Sequence, residues 1–390
     1  CWYVTLSIPI AARTRSVQLM ASLGLLLEPF VSLSPILHAL WQNAISAYEM
    51  NFSGQSGRAR TRALEVFERL DGLRSKELPY LDTIRNAIAF SVGSIELSLG
   101  FESAPRWIEQ LDSDPLQRVN GMYLRRLLCI YRGDDDGAEQ YRRQAELLAL
   151  QASARQMFAM PVRRELMAQV QLGDLAAVKQ VADQIAGLSA IEPGWIAQHC
   201  FAQGLYQRLR GDYEAACAAF AEAMTKADAV QDRSTWLAAM SGQIGVLVEL
   251  ERAPEARRLG LAALERCSAL EIDVEANDLR RELALAEAKC GDFAAATARI
   301  EALMAERAGL METHRALDYE ARARIALWAG DPQAGVHIAK VAELQLSLGR
   351  WLFGVPNNIV IMVLVLGSLW VLVERTALGQ EIQAVGGNPA

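Results

Sequence analysis

Five times between residues 130 and 335 the chain carries the dipeptide Gly-Asp: Gly133-Asp134, Gly173-Asp174, Gly211-Asp212, Gly291-Asp292 and Gly330-Asp331. The successive intervals are 40, 38, 80 and 39 residues. Eighty is two forties, and the vacant slot holds Glu251-Arg252, followed by APEARRLGLAALE in the same phase as YEAACAAFAEAM after Gly211. A fixed period of this length is the signature of an array in which each repeat is one supersecondary unit. Glycine takes the left-handed conformation that ends one helix, and Asp caps the next, so each unit is predicted to be a helical hairpin closed at its Gly-Asp turn.

Five residues beyond the turns stand Ala138, Val178, Ala216, Ala256, Ala296 and Gly335, nearly all small. That position faces the preceding helix, where a small side chain lets antiparallel helices approach closely. Larger residues four and eight places on, Phe220 and Met224 in one unit, fill the groove to the next pair. The packing positions singled out are Gly204, Gly211, Ala216, Phe220, Ala223, Ala256, Gly291, Ala296 and Gly330.

The run GLYQRLRGDYEAACAAFAEAM, Gly204 to Met224, resembles a tetratricopeptide repeat, with Gly204, Gly211, Asp212, Tyr213, Ala216, Phe220 and Ala223 at that motif's small, turn and aromatic places. The period is near 40 rather than 34, and the closing proline is absent at position 228. The resemblance, over about 45–345, implies an all-α, right-handed α-solenoid of helical hairpins that presents a groove to a protein or peptide partner. Residues 1–99 read as an N-terminal helical region of degenerate repeats, with Pro29 and Pro35 interrupting the first helices, and 100–346 as the regular repeats.

Residues 351–373 are 23 consecutive uncharged residues, WLFGVPNNIVIMVLVLGSLWVLV, long enough for one transmembrane helix, with Trp351 and Trp370 near its ends. The segment from about 347 to 390 resembles the permease subunit of ribose-type sugar ABC importers. Thr376, Gly379, Ile382, Ala384, Gly386, Gly387, Asn388 and Ala390 match its cytoplasmic loop, while Gln383 departs from it. The resemblance implies a membrane partner through 351–373 and an ABC ATPase subunit near the loop. It also implies that the array lies outside the cell, whereas helical arrays with free cysteines belong in the cytoplasm. A chain that asks for both addresses is expected to be a fragment or a join of two genes, and it begins at Cys1 without a methionine.

Chemistry is sparse. No Walker A loop and no kinase triplet occurs, and His38, His199, His314 and His337 lie in four separate segments with no nucleophile at suggestive spacing. The loop GDDDG, Gly133 to Gly137, lacks the alternating spacing of a calcium loop, and the six cysteines form no metal-ligand pair, so neither a metal nor another cofactor is expected. Trp107, Trp195, Trp236 and Trp328 fall in helical segments as core residues. A hydrophobic fraction of 52% calls for a large core, and a net charge of -7 argues against a nucleic-acid partner.

Three functions remain in view for what reads as a bacterial protein, cytoplasmic unless 351–373 spans the membrane. The first is a non-enzymatic scaffold for protein-protein interaction. The others are a piece of a sugar permease, and the regulatory arm of a signalling kinase, ATPase or cyclase whose catalytic domain precedes Cys1. If the phase is right, Ala216→Trp overpacks a close helix contact and lowers stability by about 1–3 kcal/mol, read as a fall in melting temperature.

Overall fold

The computed structural model describes residues 15–71, 73, 81–114, 117–151, 162–272, 276–332 and 334–347. The membrane-length run 351–373 and the permease-like residues Thr376, Gly379, Gly386, Gly387 and Asn388 lie outside them. Among the described residues no helix is long and apolar enough to cross a membrane.

The chain opens with α1 (Val17–Leu27) and a 3-10 turn (Glu28–Leu33), then continues as α2 (Pro35–Tyr48), α3 (Ser56–Asp71), α4 (Leu81–Leu99) and α5 (Ala104–Gln110). Next come α6 (Arg118–Arg132), α7 (Asp135–Gln151), α8 (Val162–Leu172), α9 (Leu175–Ile191), α10 (Ile196–Leu209) and α11 (Tyr213–Ala229). The series ends with α12 (Arg233–Glu249), α13 (Ala253–Ala269), α14 (Asn277–Lys289), α15 (Phe293–Glu306), α16 (Glu312–Ala329) and α17 (Ala334–Ser347). Pro29 and Pro35 do not interrupt helices here. Each sits in the first turn of its element, where a missing N–H costs nothing.

From α2 onward the helices pair as hairpins, α2 with α3 through α16 with α17. Even-numbered helices pack on the next even-numbered helix all along the array. Elements that touch their counterparts in the neighbouring repeats line the inside of the curve, so the even helices form the inner face and the odd helices lie outside them.

One turn geometry builds all of this. Gly211, Gln231, Glu251, Glu271 and Gly291 all have positive φ, and each follows the last by 20 residues, so the forty-residue unit is two equal helix-plus-turn halves. At each turn the amide after the left-handed residue reaches back five residues, as in Asp212 N to Gln207 O (3.0 Å) and Arg252 N to Leu247 O (2.8 Å). The left-handed residue itself bonds three back, as in Gly211 N to Arg208 O (3.0 Å). These are the paired bonds of a Schellman cap, which satisfy the last carbonyls of the helix. The following helix is then capped by Asp: Asp134, Asp174, Asp212, Asp232 and Asp292 each accept the amide three residues on. In GDDDG, therefore, Asp134 is a cap. A side chain on Gly137 would lie 2.2 Å from its carboxylate, which explains the second glycine.

Between the helices, Ala216, Ala223, Ala256 and Ala296 are fully buried. The ring of Phe220 is clasped by two glycines: a Cβ on Gly204 of α10 would come within 2.6 Å of it, and one on Gly242 of α12 within 2.7 Å. Gly242 gave no sign in the sequence. The last unit departs from the sequence register. Gly335 is consequently exposed, and Ala334 takes the buried position.

The curve also closes on itself. The first hairpin meets the sixth: Arg15, just ahead of α1, pairs with Asp232, and Gln55 Nε2 donates to Leu270 O (3.1 Å). The second and third hairpins meet the eighth. Phe101 and Leu310 form an isolated antiparallel bridge, Met311 N donates to Gly100 O (2.6 Å), and the Thr313 hydroxyl donates to Tyr131 O. This line of contact between successive turns of the superhelix is a seam.

Glu251 occupies a left-handed position, at φ 58°, that glycine fills in the five Gly-Asp turns. Glu251→Gly removes that strain and is expected to stabilise the protein by up to about 1 kcal/mol, seen as a higher denaturation midpoint with unchanged slope.

Candidate ligand groove

The packing residues read from the sequence do not converge on one place. Gly211, Gly291 and Gly330 close turns, and Gly204, Ala216, Phe220, Ala223, Ala256 and Ala296 lie between helices all along the array. Chemistry that does converge lies on the inner face.

Arg208 at the end of α10 reaches over α12 to Glu282 of α14, 3.6 Å away. It can do so because Gly245 of α12 lies beneath the pair: a Cβ there would sit 2.7 Å from Glu282 Oε2 and 3.1 Å from Arg208 Nη2. One step along, Arg324 of α16 reaches over α14 to Glu249 of α12 at 2.6 Å. Side chains two hairpins apart meet in this way only where the radius of the array is smallest.

Around them Arg281 of α14 contacts Asp278 (2.9 Å), Glu282 (3.8 Å) and Asp318 of α16 (3.5 Å). Arg307, from the turn before α16, donates from Nη1 to both carboxylate oxygens of Asp318 at 3.0 and 2.7 Å. Asp318 is 1% exposed, so burial pushes its carboxyl up while Arg281 and Arg307 hold it down. A buried carboxylate of this kind tolerates its site only while both arginines stay, since removal of one partner leaves an uncompensated charge.

Glu320 differs from the rest. It is half-buried, and among the described residues it has no hydrogen-bonded or ion-paired partner. Burial pushes its carboxyl up, opposed by Arg324, Arg281 and Arg208 and aided by Glu282, so it faces the centre of the cluster. The amide oxygens of Gln171, Gln198 and Gln207, on α8 and α10, are buried without a partner.

A register signal for this face was present in the sequence. Arg163, Ser241, Arg281 and Glu320 each stand ten residues before the left-handed residue of their turn, but the same position on α10 is the core residue Phe201, so the register marks this face only in part of the array. The ion pairs that skip a helix leave no such trace.

Other candidates resolve into packing. Trp107 donates Nε1 to the buried Glu96 carboxylate (2.9 Å), the ring of Trp236 lies under Arg266 (3.9 Å), and Trp328 is flanked by Lys289 and Arg324. Burial pushes the Cys129 thiol up to about 11, and that of Cys200 up as well, which keeps both as inert thiols. Among the described residues no group of three His, Cys, Asp or Glu is placed to hold a metal.

The described residues thus form an all-helical array of tetratricopeptide-like hairpins. The sequence matches no family model and no curated protein. Among solved structures the chain is similar to NprR, in the crystal structure of its complex with its cognate peptide NprX. The two are 16% identical, the match covers 73% of this chain and 83% of that one, and the TM-score is 0.50. At that identity the likeness is one of fold.

Arg324→Ala removes the cation that does most to lower the Glu320 carboxyl, so Glu320 is expected to titrate higher still, as followed by carboxyl carbon NMR.

Proposed function

We propose that the chain is a non-enzymatic helical-repeat scaffold that takes a peptide or an extended protein segment along its inner face. The observation that carries this reading is the floor over Gly245, where charged side chains from four inner helices meet while Glu320 stays unpartnered. A basic side chain or terminal amine would pair with Glu320, so the preferred ligand is cationic at one point. The peptide complex of NprR, a chain of similar fold, supports a peptide over a small metabolite.

Attachment of this scaffold to a membrane through 351–373 is a second reading, favoured by 23 uncharged residues in a row. Sedimentation of the full chain with membranes, lost on deletion of 351–373, tests it. A transport role as a permease piece rests on the loop resemblance alone, and a regulatory role for an upstream enzyme on the array alone.

Selection from a random heptapeptide display library against the full chain tests the groove. Recovered peptides are expected to be rich in Lys or Arg and to bind about tenfold or more weakly to Glu320→Lys. Arg257→Ala, on an outer helix, should leave affinity unchanged. Binding that is indifferent to Glu320→Lys would overturn the proposal.

A further inference from the structure

We infer that the seam between the turns of the superhelix is an acid-released latch, with His314 as its trigger. His314 lies in the first turn of α16, at the point where the eighth hairpin rests on the second and third. It is 4% exposed, and among the described residues neither ring nitrogen has a partner at full hydrogen-bond geometry.

Helices α4 and α6 press on it from across the seam. From α4, the imidazole is pressed on Gly100, where a Cβ would lie 2.5 Å from its ring. The carbonyls of Ser98 and Leu97 lie near enough to favour the protonated ring, an effect smaller than those of burial and Arg307. From α6, the ring of Tyr131 lies 4.6 Å away, centroid to centroid. The titratable neighbours are Arg307, Asp278 and Asp318. Arg307 donates to the His314 carbonyl at 2.8 Å, and both carboxylates are already engaged by Arg281. A second proton on the imidazole would thus be buried beside a guanidinium with no free carboxylate to receive it. Relief comes from parting the seam, which needs no helix to unfold: it breaks the Phe101–Leu310 bridge, the Met311 N–H bond to Gly100 and the Thr313 bond to Tyr131.

The direction with pH follows. Burial first, then Arg307, lowers the His314 pKa to about 4, whereas in the opened seam the ring regains its ordinary value near 6.5. A group depressed on closing contributes its full share to closure above about 6.5, and the share is lost as pH falls toward about 4. Between pH 7.5 and pH 5 the opening equilibrium should rise about 30-fold. The latch is a property of the seam whether or not the inner face binds a peptide.

Hydrogen exchange on the full chain tests it, with peptides covering 97–101 and 310–314 followed from pH 7.5 to 5 and corrected for the intrinsic rate. The latch predicts a rise in opening of about 30-fold there, with amides in the core of α12 unchanged. In His314→Gln the corrected opening should be independent of pH. If that variant does not fold, the wild-type profile alone decides. A flat wild-type profile, or loss of protection at the seam and in α12 together, would overturn the inference.

Discussion

Everything in this array hangs from a residue in the left-handed conformation one step past the end of a helix. That residue lets two amides turn back onto the last carbonyls, which would otherwise be orphaned, and it aims the chain into the next helix at a fixed angle. Repeated every 20 residues from Gly211 to Gly291, the same geometry gives three successive helices of 17 residues, α11 to α13, followed by α14 of 13. Curvature then follows from side-chain size: glycines at 204 and 242 close on Phe220, and alanines at 216, 256 and 296 hold the helices near each other. The inner helices are brought close enough for Arg208 and Arg324 each to reach across a neighbour.

How much of this the sequence discloses depends on whether residue type reports conformation. Where the left-handed residue is glycine, the turn is legible. At Gln231 and Glu271 it is not, since neither residue favours positive φ and the cap bonds are made by backbone that any sequence possesses. The forty-residue period was therefore visible and its division into equal halves was not. Gly335 shows the opposite limit: a repeat spacing carried forward by count fails in the last unit. The prolines at 29 and 35 likewise mark breaks in the helical pattern, and only the structure shows that each opens a helix.

The groove was half legible. Arg163, Ser241, Arg281 and Glu320 share a register position that periodicity can pick out, although on α10 the same position is the core residue Phe201. What periodicity cannot assign is distance around the curve. The Arg208–Glu282 and Arg324–Glu249 pairs depend on the radius of the superhelix, a sum of small packing angles over several units. The contacts of Arg15 with Asp232 and of Thr313 with Tyr131 join residues 217 and 182 positions apart, and no local pattern marks them.

Those long-range contacts change the kind of object this is. An open solenoid has nearest-neighbour energetics, so a repeat can be gained or lost at little cost beyond its own interfaces. Here the first hairpin must arrive opposite the sixth and the third opposite the eighth. Excision of one hairpin would bring Gly100 and Tyr131 against the wrong residues. The number of units between the hairpins that touch across the seam is thus fixed by the closure of the coil, so variation within this stretch is confined to substitution and to loop length outside the seam.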